Sequence, residues 1–182
     1  REGRGFKAPR PLYSFVLIFR FVNSMQVDLF NYLDKKNIIL NLKGKSKKKV
    51  LSNIVDHLIS VKKIDKRYRK EILKALIQRE EMGSTGIGGG IALPHARLEF
   101  VDDIILSIGI SSGGVNFDSL DGGTVYVVAL LLSNHKEAGT HLKMLALLAR
   151  ILRDKYFVEN LKEAKTEDEV FLLVKKQASL IQ

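Results

Sequence analysis

The run TVYVVALLLS at residues 124–133 leaves the chain little freedom in how it folds. A half-exposed strand alternates apolar and polar side chains, and this run does not alternate. It needs apolar cover on both faces, which places it in the middle of a sheet. DIILSIGI at residues 103–110 reads the same way, and NIILNL at residues 37–42 is a shorter strand rich in β-branched residues. GIALPHA, from Gly90, is a short buried strand ending at Pro94. Residues 111–123, SSGGVNFDSLDGG, read as turn.

The cover comes from four helical patterns. Val50, Leu51, Ile54, Val55, Leu58 and Ile59 recur at helical spacing behind Ser46, a capping residue. Asp65 is placed to cap a second helix, with Tyr68, Ile72, Leu73 and Leu76 on one face, running to about Glu81 and stopped by Gly83. Thr140 opens a third, HLKMLALLARILRD, with a wide apolar stripe. TEDE at residues 166–169 is a capping box ahead of a last helix, VFLLVKKQASLIQ. Strands interleaved with helices predict a single α/β domain, a mixed β-sheet flanked by α-helices.

At 182 residues the chain has the size of one domain with a tail, and 46% hydrophobic residues suffice for a sizeable core. The absence of cysteine excludes disulfides, thiolate zinc sites and thiol nucleophiles, and fits a reducing compartment. The net charge of +10 is local. Residues 35–70 hold thirteen Lys and Arg against two acids, whereas residues 71–182 hold twelve against fifteen. A segment so basic raises a nucleic-acid-binding module as one reading of residues 35–70. No aromatic interleaving or known DNA-binding motif accompanies it, so a solvated helix face is favoured and a nucleic-acid partner is not expected.

Residues 1–24 differ from the rest, with a basic start, an apolar run from Leu12 to Phe19 and then Arg20. The run is too short to span a bilayer as a helix, and Arg20 close behind it weakens a signal-peptide reading. We expect an N-terminal extension over residues 1–24, upstream or artificially appended rather than a targeting segment. The domain is expected over residues 25–182, without membrane insertion.

Five glycines fall between Gly83 and Gly90 in GSTGIGGGIALPHARL, residues 83–98, and lead to Pro94 and His95. A phosphate-loop motif fails because Gly89 and Gly90 stand where Lys and Ser/Thr belong. The dinucleotide fingerprint fails at Ile91, where a third glycine is needed. None of His57, His95, His135 and His141 forms the i, i+4 pair of a helical zinc site, which leaves open a two-histidine site completed by distant carboxylates. Two features favour imidazole chemistry. Gly88, Gly89 and Gly90 free backbone N–H groups to point at an anion. His141 lies at the start of a predicted helix, where amide dipoles favour negative charge. A neutral imidazole, with an unperturbed pKa of ~6.5, is a competent nucleophile near neutrality. Phosphoryl chemistry on a histidine is the expectation, with Gly88, Gly89 and Gly90 binding the phosphoryl group.

REEMGSTGIGGGIALPHARL, residues 79–98, closely resembles the active-site signature of enzyme IIA of the bacterial phosphoenolpyruvate-dependent phosphotransferase system, fructose/mannitol type. The likeness is strongest to its nitrogen-regulatory branch. The family hallmark is present as Gly88-Gly-Gly-Ile91-Ala92-Leu93-Pro94-His95-Ala96, and THLKMLALLARILRD at the second histidine extends the resemblance, which covers residues 25 to about 180. The resemblance implies the family's mixed sheet flanked by helices. It implies a phosphotransferase that works through a phosphohistidine: His95, phosphorylated by a small phosphocarrier protein. It implies that His141 sits beside His95 and hydrogen-bonds the imidazole or phosphoryl group. It implies that Arg79 lies nearby as a charge partner, a role suited to a guanidinium facing phosphate oxygens. It implies no metal or organic cofactor, and a cytoplasmic location. Two positions depart from the family pattern: Gly89 stands where Asn is common, and Ala96 where Gly is frequent.

Downstream, the resemblance implies either of two roles. A regulatory IIA binds target proteins according to its phosphorylation state; a sugar-transport IIA donates phosphate to a IIB domain of a fructose/mannitol-type permease. The regulatory likeness favours the first. His57, on the first predicted helix, and His135, in a loop, are expected to have no role.

Overall fold

The structure, a computed structural model, describes residues 28–180; the expectations for residues 1–24 lie outside them. Among the described residues six strands form one sheet: β1 Leu33–Ile39, β2 Gly86–Gly88, β3 Ile91–Ala92, β4 His95–Arg97, β5 Ile105–Val115 and β6 Val125–Ser133. The order is β1-β5-β6-β3-β2, with β4 also paired to β6. β1 runs parallel to β5, and β3 and β4 run parallel to β6, while β5–β6 and β2–β3 are antiparallel. The sheet is therefore mixed, as the sequence predicts.

β6, the strand of the TVYVVALLLS run, lies in the middle, and its alternate residues feed two separate cores. Val127, Ala129 and Leu131 pack with Met144, Leu148, Phe157 and Val174 on one face. Val128, Leu130 and Leu132 pack with Leu51, Ile54, Leu58 and Leu76 on the other. Helices α1 Lys47–Ser60 and α2 Arg69–Glu81 supply the second of these faces; α3 Ala138–Leu152, α4 Lys155–Glu163 and α5 Glu167–Ser179 supply the first. The strand has no polar face because it has no solvent side.

Several boundaries differ from the sequence reading. β1 occupies residues 33–39 rather than 37–42, although the Leu42 N–H still reaches the Ile110 carbonyl at 2.9 Å. Asp65 caps a 3-10 turn, Lys66–Tyr68, and α2 proper begins at Arg69. α3 begins at Ala138, two residues before Thr140, behind another 3-10 turn at His135–Glu137. β5 runs on through Ser111–Gly114, residues expected to turn. Between the pairs Ile110–Val127 and Val115–Val125, five steps on β5 face two on β6, so the Ser and Gly residues are taken up as a bulge. Helix α4 was not expected at all; Asp154 caps it by accepting from the N–H groups of Tyr156 and Phe157.

The GIALPHA segment does not end at Pro94. It divides into β3 and β4, which pair with the same edge of β6, Ile91 opposite Val127 and His95 opposite Leu131. Pro94 has no N–H to donate, and it sits in the gap between the two ladders. Its carbonyl still accepts from the Leu131 N–H at 2.9 Å.

Candidate active site

His95 is the first residue of β4, and helix α2 packs against that strand. The ring Nδ1 lies 2.8 Å from the Leu93 carbonyl. A carbonyl can only accept, so Nδ1 carries the proton and Nε2 holds the lone pair. Arg79, in the last turn of α2, donates from Nε to His95 Nε2 at 3.1 Å. A second guanidinium N–H of Arg79 donates to the Gly83 carbonyl at 2.9 Å, where the chain leaves the helix. From the other side comes His141, in the first turn of α3. Its ring centroid is 5.5 Å from that of His95, and the two rings meet at 64°. His141 is buried, and its Nδ1 lies 2.7 Å from the Ser133 hydroxyl at the end of β6. His95, His141 and Arg79 are thus brought together from a strand and two helices on opposite faces of the sheet.

Both imidazoles are held in the neutral form. Burial pushes the His141 pKa down to about 4, with repulsion from His95 and Arg97 adding to it. Burial also lowers the His95 pKa below its ordinary value; the Leu93 carbonyl and Glu80 work against this, and Arg79 and Arg97 reinforce it. The pair opens onto a depression of about 450 Å³ lined by Gln78, Arg79, Met82, His95, His141 and Leu142. Met82 and Leu142 stand well exposed at its edge.

The glycines expected to bind the phosphoryl group do not join this cluster. Gly90 adjoins Ile91, opposite Val127, whereas His95 is opposite Leu131. Four residues along a strand separate the two places by ~13 Å. The Gly88 N–H is taken by the Ser119 hydroxyl at 3.1 Å, and the Gly89 N–H by the Asp121 carboxylate at 2.9 Å. Gly88, Gly89 and Gly90 have φ of 94°, 64° and 83°, and they turn the β2–β3 hairpin. The Gly88 and Gly89 amides are occupied by a hydroxyl and an acid, and a carboxylate is the wrong neighbour for a phosphoryl group.

Of the other two histidines, one lies away from the site and one lines it. His57, on α1, contacts the Lys36 carbonyl through Nε2 at 2.7 Å. His135 lines the depression from the turn before α3. In the basic segment, Lys35 pairs with Asp168, Lys47 with Glu80 and Asp118, Arg67 with Asp65, and Arg69 with Asp56. Three groups at or behind the site escaped the sequence reading: the Leu93 carbonyl, Ser133 and Glu80. Glu80 is buried, accepts from the Thr85 backbone N–H at 3.1 Å and from the Thr85 hydroxyl, and pairs with Lys47 at 3.1 Å. It ties the end of α2, from which Arg79 reaches, to the chain entering β2. Ser133 left a faint signal, as a polar residue two places after Leu131 on the same face of an apolar strand.

The family described as "Phosphoenolpyruvate-dependent sugar phosphotransferase system, EIIA 2" matches residues 31–177. The chain belongs to this family. It is 30% identical over 160 residues to a nitrogen regulatory protein of Klebsiella oxytoca, covering 86% of this chain and 96% of that one. It is 33% identical over 142 residues to the fructose-specific EIIABC component of Bacillus subtilis, covering 78% of this chain but spanning only 22% of that longer protein. The crystal structure of the nitrogen regulatory protein IIA-Ntr from Neisseria meningitidis superposes with a TM-score of 0.72 at 28% identity, over 79% of this chain and 97% of that one. The fold is that of the phosphotransferase-system IIA proteins, and the chain is a type 2 IIA phosphoryl carrier. Among the described residues no helix is long and apolar enough to cross a membrane.

Proposed function

We propose that His95 accepts a phosphoryl group on Nε2 from the phosphohistidine of a small phosphocarrier protein, and that the chain acts as a regulatory IIA in the cytoplasm. The observation that carries the reading is the hydrogen bond from His95 Nδ1 to the Leu93 carbonyl, which leaves the Nε2 lone pair facing Arg79 and the open depression. The phosphorus–nitrogen bond of the donor breaks as the bond to Nε2 forms, and the donor imidazole departs with the electron pair. No proton has to leave Nε2. The ring becomes positive as it gives up its pair, and the Leu93 carbonyl stabilises the Nδ1–H that shares this charge. Arg79 moves its Nε–H from the nitrogen to the incoming phosphoryl oxygens, where a guanidinium offsets charge spread over the transition state. The apolar edge formed by Met82 and Leu142 gives a protein donor a surface to dock against.

The test is incubation with enzyme I, phosphocarrier and phosphoenolpyruvate, followed by site mapping. The label should sit on His95, be acid-labile and base-stable, and vanish in His95→Ala. Label on His141, Ser84 or Thr85, or full labelling of His95→Ala, would sink the assignment. The regulatory role is favoured by near full-length likeness to a nitrogen regulatory protein. Phosphorylated protein and His95→Ala should then recover different protein partners. A second reading, donation to a fructose-type IIB domain, is favoured by the 33% identity to a fructose-specific component. Transfer from phosphorylated protein to an isolated fructose-type IIB, with identical partner sets for the two forms, would select it.

A further inference from the structure

The two histidines are not interchangeable, and the chain has a device that keeps them different. We propose that Ser133 is a positioning residue that donates its hydroxyl proton to His141 Nδ1 and thereby fixes His141 as an Nε2–H donor beside the phosphoryl site. The inference rests on the reading of His95 as phosphoryl acceptor.

Strand register sets up the contact. β4 and β6 run parallel with His95 opposite Leu131 and Arg97 opposite Ser133. Leu131 faces the core that includes Met144 and Leu148 of α3, and Ser133, two residues on, points to the same side. His141 comes down from α3 onto this spot. Ser133 is fully buried, and His141 Nδ1, at 2.7 Å, is the partner its hydroxyl has among the described residues.

The direction of the bond follows from counting protons. If His141 Nδ1 carried a proton and donated it, the serine hydroxyl would accept, and its own proton would point into an apolar interior without an acceptor. A buried unsatisfied donor is costly. If the hydroxyl donates instead, both atoms are satisfied. His141 is also neutral near pH 7, because burial, reinforced by the charge of Arg97, disfavours its cation. A neutral imidazole has one ring proton, and with Nδ1 accepting from Ser133 that proton belongs to Nε2. Nε2 is the polar atom left to face the depression that His141 lines.

The pair is then complementary. His95, held at Nδ1 by the Leu93 carbonyl, presents a lone pair; His141, held at Nδ1 by a hydroxyl, presents an N–H. A lone pair at the second position would repel phosphoryl oxygens, and an N–H there attracts them. One carbonyl within the glycine–histidine motif and one hydroxyl outside it assign nucleophile and donor to two chemically identical side chains.

The experiment has two arms. Long-range 15N–1H spectra of the unphosphorylated wild-type protein near pH 7 read the tautomers directly. His141 should be protonated at Nε2 and His95 at Nδ1; a His141 protonated at Nδ1 overturns the proposal. The second arm compares Ser133→Thr with Ser133→Val, which have nearly the same shape and differ in the hydroxyl. Ser133→Thr should keep the His141 tautomer and the transfer rate. Ser133→Val should lose the tautomer preference and about tenfold in kcat for phosphoryl transfer, with KM for the phosphocarrier unchanged, as expected for one buried hydrogen bond. Equal rates and equal spectra for the two variants also overturn the proposal. Absence of label on His95 in the wild-type protein would defeat the phosphoryl-acceptor reading instead, and the spectra would still decide the tautomer. Should a variant fail to fold, the wild-type spectra decide alone.

Discussion

Arg79 has two jobs in its resting position. One guanidinium N–H anchors it to the Gly83 carbonyl, and Nε caps the lone pair of His95. A lysine has a compact ammonium on a flexible stem and cannot hold both places with fixed geometry. We predict that Arg79→Lys lowers kcat for phosphoryl transfer by ~10²-fold, the typical value of one well-aimed transition-state donor, with little change in KM. Steady-state transfer from the phosphocarrier checks this; a raised KM with kcat intact would assign Arg79 to docking. At this scale the site was half legible. His95, His141 and Arg79 are side chains in recognisable sequence contexts, and the fold brings them side by side. The Leu93 carbonyl is backbone, which a sequence does not distinguish from any other. Ser133 is brought to His141 by the register of β4 on β6 and by the descent of α3, neither of which is written in neighbouring residues.

The β2–β3 hairpin carries the glycines of the motif yet stands apart from the histidine pair. Its tip is tied down by Asp121, whose carboxyl is held below the usual carboxylate range by the amides of Gly123 and Gly89. At Gly89 a Cβ would meet nothing closer than Ile91 Cδ1 at 4.0 Å, so the cost of a side chain there is the left-handed φ of 64°. That cost is about 1–2 kcal/mol for most residues and smaller for asparagine. Gly89→Ala should therefore lower Tm by a few degrees, Gly89→Asn by less, and neither should change the transfer rate. Thermal unfolding and the phosphorylation assay together check this; a collapsed rate in a folded Gly89→Ala would return the glycines to the phosphoryl site. The same contrast holds for other elements. β6, α1 and α3 have long periodic or uniform apolar runs, and they formed where those runs lie. α4 has nine residues, too few for a helical period to stand out, and the Ser–Gly run in β5 reads as a turn unless one knows that β6 lies alongside to hold it.

At the scale of the whole molecule, the site is coupled to stability through His141. The folded protein keeps this ring neutral until pH falls to about 4, whereas the unfolded chain protonates it near the ordinary value of 6.5. Between those limits the unfolded state binds the extra proton, so acid favours unfolding. The contribution is complete above pH ~6.5 and drains away as pH falls toward the folded value. Burial is the main cause, so the effect belongs to the packing of α3 on the sheet rather than to a surface pair. Linkage puts the loss from this one group at about 2 kcal/mol between pH ~7.5 and pH ~5. His95 adds a loss in the same direction, since its own value is lowered as well. Asp56 and Asp121, whose carboxyls are held low, titrate below this window and do not confuse it. Urea unfolding of the wild-type protein at a series of pH values should show the midpoint falling across the window. His141→Gln retains a group that can accept from Ser133 and removes the titration, so its stability should fall with pH by ~2 kcal/mol less than that of the wild type. Parallel curves for the two proteins would mean that His141 is not kept neutral by the fold, and the placement of its single proton on Nε2 would lose its basis.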